Sequence, residues 1–307
     1  MTWFWLSLVG PFLYALTNHI DKILLERYFK EQGVGTLLLF SALLSAVAIP
    51  FIFLVDTSVM DVDRKSVFYL TIVSVLNLVV LWSYLMALMD EEATVVIVFY
   101  QLVPVFGALM GYTFLGEVLS ADQLWAMAIV LIGTTIVSFE FEGLTKVRFK
   151  RRTVLFMSLA SVSWATETTI FKAVALEENV WRSVFWEHVT LVALGVIILA
   201  LVPSYRASFI QAWRMNSRPV LSLNFANETL YMVGNITVSY AVMLAPIALI
   251  LLAESFQSTF VFIFGMISTI LIPKYYKEQI GRVVVLQKLS AIAITGYGAY
   301  WLVSVTP

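Results

Sequence analysis

Residues 153–175 read TVLFMSLASVSWATETTIFKAVA. A bilayer hydrocarbon core of about 30 Å is crossed by a helix of about 20 mostly apolar residues, and this stretch meets that length. Its only ionisable residues are Glu167 and Lys172. Lys172 lies near the end of the run, where a long side chain can snorkel to the interface. Glu167 lies in the middle, and a short carboxylate there costs several kcal/mol unless it faces protein or water. The stretch therefore reads as a membrane span with one face turned to a polar interior.

The rest of the chain has the same character. Of 307 residues, 61% are hydrophobic and 13% charged, against about 25% charged in a soluble domain, and the mean hydropathy is +0.91. Ten runs of span length follow one another, at about 3–25, 34–55, 66–88, 93–115, 122–140, 153–175, 181–203, 220–243, 246–272 and 284–305. They are continuous and long, unlike the alternating segments of about ten residues that build a β-barrel. The expected fold is an all-α integral membrane protein with ten transmembrane helices. Residues 3–16 are apolar but no Lys or Arg precedes Lys22, so the first run is read as a retained span and not a cleaved signal.

Charge and composition narrow the function. A net charge of −1 offers no basic footprint for nucleic acid. With zero Cys and two His, no thiolate chemistry, metal site or cofactor is expected. A nucleotide-binding P-loop, Gly-x-Ser-x-Gly and His-x-x-x-His are all missing, which argues against an enzyme or a self-contained ATP-driven pump.

Shifting the chain on itself by 150 to 154 positions places Tyr14, Ala15 and Lys22 on Trp164, Ala165 and Lys172, and Ala87, Met89, Phe106 and Gly111 on Ala241, Met243, Phe260 and Gly265. The chain is thus expected to be two five-helix repeats, 1–145 and 146–307. Five is odd, so the second copy must sit upside down, an arrangement that puts a binding site near the membrane midplane where the halves meet. The duplicated halves, the Trp164-Ala165 pair, the Pro104-Val105-Phe106 and Gly111 run and Glu117 after it together resemble the EamA-like, ten-helix branch of the drug/metabolite transporter superfamily. The ninth span departs from that pattern with Ser258-Thr259-Phe260. The resemblance implies a transporter whose cavity is lined by the first four helices of each half, with the fifth and tenth outside. It leaves the substrate open among amino acids, nucleotide sugars, drugs and cations.

Polar residues mark the inward faces. In the eighth span Asn224, Asn227, Glu228, Tyr231 and Asn235 share an arc of about 100°; interhelical glue is the alternative to cavity lining. Tyr14, Thr17, Asn18, Asp21 and Lys22 of the first span match Trp164, Glu167, Thr168, Phe171 and Lys172 of the sixth. Glu254, Gln257, Ser258 and Gly265 share a face in the ninth, with Tyr100, Pro104 and Gly111 as fourth-span counterparts, and Ser74, Asn77 and Tyr84 form a weaker stripe in the third. Glu187 and His188 open the seventh, His188 being a candidate proton carrier. Glu167, Glu187 and Glu254 are expected at one depth and Glu228 at another.

The reading is a secondary active transporter of the cytoplasmic or inner membrane, moving a small polar metabolite or organic cation by alternating access. Its candidate binding or proton-coupling residues are Glu167, Glu254, Glu228, Trp164, Asn227, Tyr231, Asn235, Asn224, Glu187, Tyr100, Asn18 and Tyr14. A passive channel or membrane-embedded interaction protein is the alternative, and an intramembrane enzyme is the weakest. The partners are a small-molecule substrate and the lipid bilayer, and Gly133, Gly296 and Gly298 in the outer spans would permit a homodimer. Fifteen of the 19 Lys and Arg lie on the face opposite the termini, and the positive-inside rule then puts both termini outside the cytoplasm.

Overall fold

The computed structural model describes residues 2–28, 33–90, 96, 99–138, 151–215, 217–271 and 282–306. Among these it is helical throughout, with no strand. The start of the fourth expected span, the ends of the fifth and ninth, and Lys30, Lys146, Arg148, Lys150, Lys274 and Lys277 lie outside the described residues.

The first half holds α1 (Thr2–Ile23), α2 (Val34–Leu44) continued through a 3-10 turn (Ser45–Val47) into α3 (Ala48–Val55), α4 (Arg64–Asp90), a 3-10 turn (Phe99–Leu102) leading into α5 (Val103–Leu115), and α6 (Ala121–Ser138). There follow α7 (Arg151–Glu178), α8 (Val180–Leu201), α9 (Pro203–Met215), α10 (Ser217–Val242), α11 (Ile247–Glu254), α12 (Gln257–Leu271) and α13 (Arg282–Val305). Among the described residues, five helical stretches are long and apolar enough to cross a membrane: Val34–Val55, Arg64–Met89, Arg151–Glu178, Val180–Leu201 and Ile247–Thr269. The helices that carry the densest polar stripes, α1 and α10, are not among them, because Asn, Tyr, Thr and acidic residues dilute their hydropathy.

The structure differs from a plain ten-helix count. Pro203, which cannot continue α8, starts a further helix, α9, where the sequence suggested only a connection. Tyr205 and Phe209 pack inward, with the Phe209 and Phe40 ring centroids 4.6 Å apart and the Tyr205 hydroxyl 3.3 Å from Trp82 Nε1, while Arg206, Trp213 and Arg214 stay exposed. Pro104, in the middle of the fourth expected span, sits in the first turn of α5, where its missing N–H leaves no hydrogen bond unmade. The ninth expected span is broken at Ser255 and Phe256, between α11 and α12.

Local signals set the other breaks. Asn179, at φ 108°, separates α7 from α8 and caps α8 by accepting from Arg182 N–H at 2.9 Å. Gly116, at φ 66°, closes α5, and Glu117 N–H bonds back to Gly111 C=O at 3.0 Å.

Contacts fix the relative directions of the helices. Asn18 meets Tyr84 and Lys22 meets Leu88 C=O, so α1 and α4 run parallel. Asp63 just before α4 meets Glu178, Asn77 meets Glu167 and Trp82 packs on Phe156, so α4 and α7 run antiparallel. Asp21 meets Asn227, Tyr14 meets Tyr231 and Gly10 abuts Val238, so α1 and α10 run antiparallel as well. α6 lies antiparallel along α13, with Gln123 against Thr306 and Gly133 against Thr295. Large apolar side chains such as Phe114, Leu54 and Trp5 are exposed, whereas Asn227, Glu187 and Glu254 are buried. This inverted distribution is the one that lipid selects.

Candidate functional site

A cavity of about 150 Å³ lies among these helices. That is room for about ten water-sized occupants. Residues of α1, α2, α4, α7, α8, α10, α11 and α12, together with the two 3-10 turns at Ser45 and Tyr100, line it; α6 and α13 contribute none. Eleven of the twelve candidate residues border it: Tyr14, Asn18, Tyr100, Trp164, Glu167, Glu187, Asn227, Glu228, Tyr231, Asn235 and Glu254. Asn224 does not. Its Nδ2 donates at 2.7 Å to Val220 C=O of its own helix. The residue shares the angular stripe of Asn227 and Glu228 but lies about one turn past the level of Asp21, so depth and not direction takes it out of the cavity.

The helix pairs position the side chains. Antiparallel packing of α1 and α10 sets the Tyr14 and Tyr231 rings 5.4 Å apart between their centroids and brings Asn227 Nδ2 to 2.7 Å from Asp21 Oδ1. Gly234 makes this possible, since a Cβ there would stand 2.7 Å from the Tyr14 ring. From α4, Asn77 Nδ2 reaches both Glu167 Oε1, at 3.0 Å, and the Tyr231 hydroxyl, at 2.9 Å. Gln257 Nε2 donates to Asn18 Oδ1 at 2.6 Å, and Asn18 Nδ2 donates to the Tyr84 hydroxyl at 2.7 Å. Asn235 Nδ2 lies 3.4 Å from Glu187 Oε1, and the Ser41 hydroxyl donates to Glu228. Tyr100 stacks on Tyr84 and stands edge-on to Trp164, with centroids 5.1 Å apart in the second pair.

Five carboxylates thus share the cavity: Asp21, Glu167, Glu187, Glu228 and Glu254. Among the described lining residues there is no Lys, Arg or His. Glu254 is 3% exposed, and neither of its oxygens has a hydrogen-bond partner. It ends α11 at the break before α12 and lies against Gly10, where an added Cβ would come within 3.1 Å of Oε1. His188 stays out of the cavity, its Nδ1 2.8 Å from Val184 C=O one turn back. Among the described residues no group of three or more His, Cys, Asp or Glu is arranged to hold a metal ion.

Sequence reasoning did not single out Ser41 and Ser45, which bring α2 and its following turn to the cavity wall. Their i, i+4 spacing in an otherwise apolar run was the available signal, but mid-helix serines commonly bond back to their own helix, as Ser45 does to Ser41 C=O. Lys172, read as a snorkelling side chain, is instead buried and bonded to Glu117 at 2.6 Å and to Ala245 C=O at 2.7 Å.

No curated protein matches the chain. Among solved structures, one described as "Crystal structure of protein" superposes with a TM-score of 0.63 at 14% identity, over 98% of this chain and 94% of that one. At that identity the likeness concerns the fold alone. Residues 1–139 of this multi-pass membrane protein match the model of the EamA-like transporter family, which is part of the drug/metabolite transporter superfamily.

Proposed function

We propose that the chain is a secondary active transporter of the cytoplasmic or inner membrane. It carries a small polar metabolite or organic cation by alternating access, with the cavity between two inverted five-helix halves, 1–145 and 146–307, as the carrier site. The observation that carries this reading is a cavity among the described residues that five carboxylates from both halves line. Groups so costly to bury are retained in membrane proteins where a solute or proton passes. The helix directions support the inversion: α1 parallel to α4, and α4 antiparallel to α7, makes α7 run opposite to α1, its counterpart in the repeat. The pairs α1–α10 and α4–α7 exchange under that relation, and α6–α13 maps onto itself, as a two-fold between halves requires.

Glu167, Glu254 and Glu228 act as binding or proton-coupling groups in this account. A thermal-shift screen of the detergent-solubilised protein against amines, amino acids and nucleotide sugars identifies ligands, since a solute that binds the folded state stabilises it. The labelled hit is then followed in proteoliposomes. Glu167→Gln and Glu254→Gln are each expected to abolish pH-dependent transport while leaving the protein folded and monodisperse; unchanged transport in both overturns the assigned roles. Saturable counterflow is expected of a carrier, and flux without counterflow makes the protein a channel.

A further inference from the structure

We propose that the cavity selects an extended, doubly charged amine, an α,ω-diamine or longer polyamine, over anions, single-charge amines and metal ions. The inference rests on the cavity being the carrier site.

The described lining residues include five acidic side chains and no basic one, which disfavours phosphates, carboxylates and nucleotide sugars. Four buried atoms of cavity-lining residues have no hydrogen-bond partner, namely both oxygens of Glu254, Asn227 Oδ1 and Gln257 Oε1, and all four are acceptors. Their side chains are at most 4% exposed. The neighbouring amide N–H groups are already committed, Asn227 to Asp21 and Gln257 to Asn18. What remains unmet is a demand for N–H donors, and a primary ammonium brings three, with a charge that roughly doubles the strength of each bond.

Acidic pairs stand at two poles of the cavity, with Glu167, which shares Asn77 with Tyr231, and Gln257, bonded to Asn18, between them. Asp21 and Glu228 flank Asn227 at one end. Glu187, held by Asn235, and Glu254, against Gly10 and near Val238, mark the other. Seven residues of α10 separate Glu228 from Asn235, a rise of about 10 Å. Between the poles Tyr14 and Tyr231 present their rings, a surface suited to a methylene chain and to the ammonium groups that end it. A single small cation fits this layout poorly, because no three acidic or His side chains among the described residues converge on one point.

The test uses the full-length protein and 1,5-diaminopentane, with pentylamine, glutamate and UDP-glucose as comparators, first by thermal shift and then by counterflow in proteoliposomes. The diamine is expected to half-saturate at a concentration about tenfold below pentylamine, as one extra charge-assisted contact implies. Glu228→Gln and Glu254→Gln, one at each pole, are each expected to bring that ratio close to one. If either variant fails to fold, wild-type protein titrated with diamines of increasing chain length supplies the same discrimination: an optimum in length supports two poles, and a flat response overturns them. Equal response to pentylamine and diamine, or stabilisation by glutamate or UDP-glucose alone, overturns the selectivity. Counterflow of glutamate or UDP-glucose but not of the diamine leaves the carrier standing and refutes the substrate class. Diamine binding with no counterflow of any solute does the reverse.

Discussion

Replacing Lys172 by methionine removes one partner of a buried ion pair and leaves most of the volume in place. Lys172 Nζ sits 2.6 Å from Glu117 Oε1 and 2.7 Å from Ala245 C=O. Glu117 Oε2 accepts the Ile247 N–H at 2.8 Å. Helix α11 begins after Pro246 with no side-chain cap of its own, so Glu117, arriving from the end of α5, caps it. The two side chains are only 9% and 15% exposed. Leaving one charge of such a pair unmatched costs about 3–5 kcal/mol, against about 0–1 for a surface pair. Glu117 keeps the Ile247 N–H in Lys172→Met, so the lower end applies, about 3 kcal/mol, or a Tm lowered by roughly 6 °C. Glu117→Gln still offers Ile247 an acceptor and leaves Lys172 with Ala245 C=O, so a loss of about 2 kcal/mol is expected. With both substitutions together no charge is stranded, and the double variant should be more stable than the sum of the singles predicts by at least about 2 kcal/mol. Thermal unfolding of the four proteins in one mild detergent at fixed pH measures the cycle. Single variants within about 0.5 kcal/mol of wild type, or a double variant that is simply additive, refute the pair as a structural joint.

Two glycines in the outer helices should behave oppositely. A Cβ on Gly133 would meet Thr295 N at 2.8 Å and Ala291 C=O at 3.0 Å, backbone atoms that cannot turn aside, so Gly133→Ala should cost about 1–3 kcal/mol of thermal stability. Gly296 has nothing within 4 Å, so Gly296→Ala should be neutral or gain up to about 1 kcal/mol from helix propensity; equal effects at the two positions would sink the reasoning. Alkaline phosphatase fused after Pro307 should be active in a bacterial host if the charge bias sets the orientation, and an inactive fusion reverses it.

Much of the helical layout was legible because each crossing needs about 20 apolar residues, and breaks such as the positive-φ Asn179 and Gly116 interrupt those runs. α9 was not, because thirteen residues with Arg206 and Arg214 look like a polar connection until Tyr205 is seen against Gly35 and Phe209 on Phe40. Helical periodicity gives an angle about the axis but not the depth at which a cavity ends, which is why Asn224 shares the stripe of Asn227 and not its surroundings. The partner of Lys172 was hidden for a different reason. A lysine near a span end can reach water or a carboxylate, and only the packing of α5 and α7 against α11 decides for Glu117.

Interhelical glue and cavity lining, which look like alternatives for an intramembrane asparagine, are the same thing here. Asn18, Asn77, Asn227 and Asn235 each border the cavity, and each donates across a helix boundary, to Tyr84, to Glu167 and Tyr231, to Asp21 and to Glu187. An amide has donors and an acceptor, so donating to a neighbouring helix leaves the oxygen free for a second bond: Asn18 Oδ1 accepts from Gln257, and Asn227 Oδ1 has no partner. Such bonds are worth about 1 kcal/mol each in a membrane interior. The Glu117–Lys172 joint, which also caps α11, is several times stronger by the magnitudes above. If the halves alternate as proposed, the α1–α10 and α4–α7 contacts are the ones cheap enough to be remade in each cycle. Asparagine substitutions will then change stability and ligand affinity together, as will those of the carboxylates they bond, and Glu254, whose oxygens have no partner, is the carboxylate whose variant reports on the solute alone.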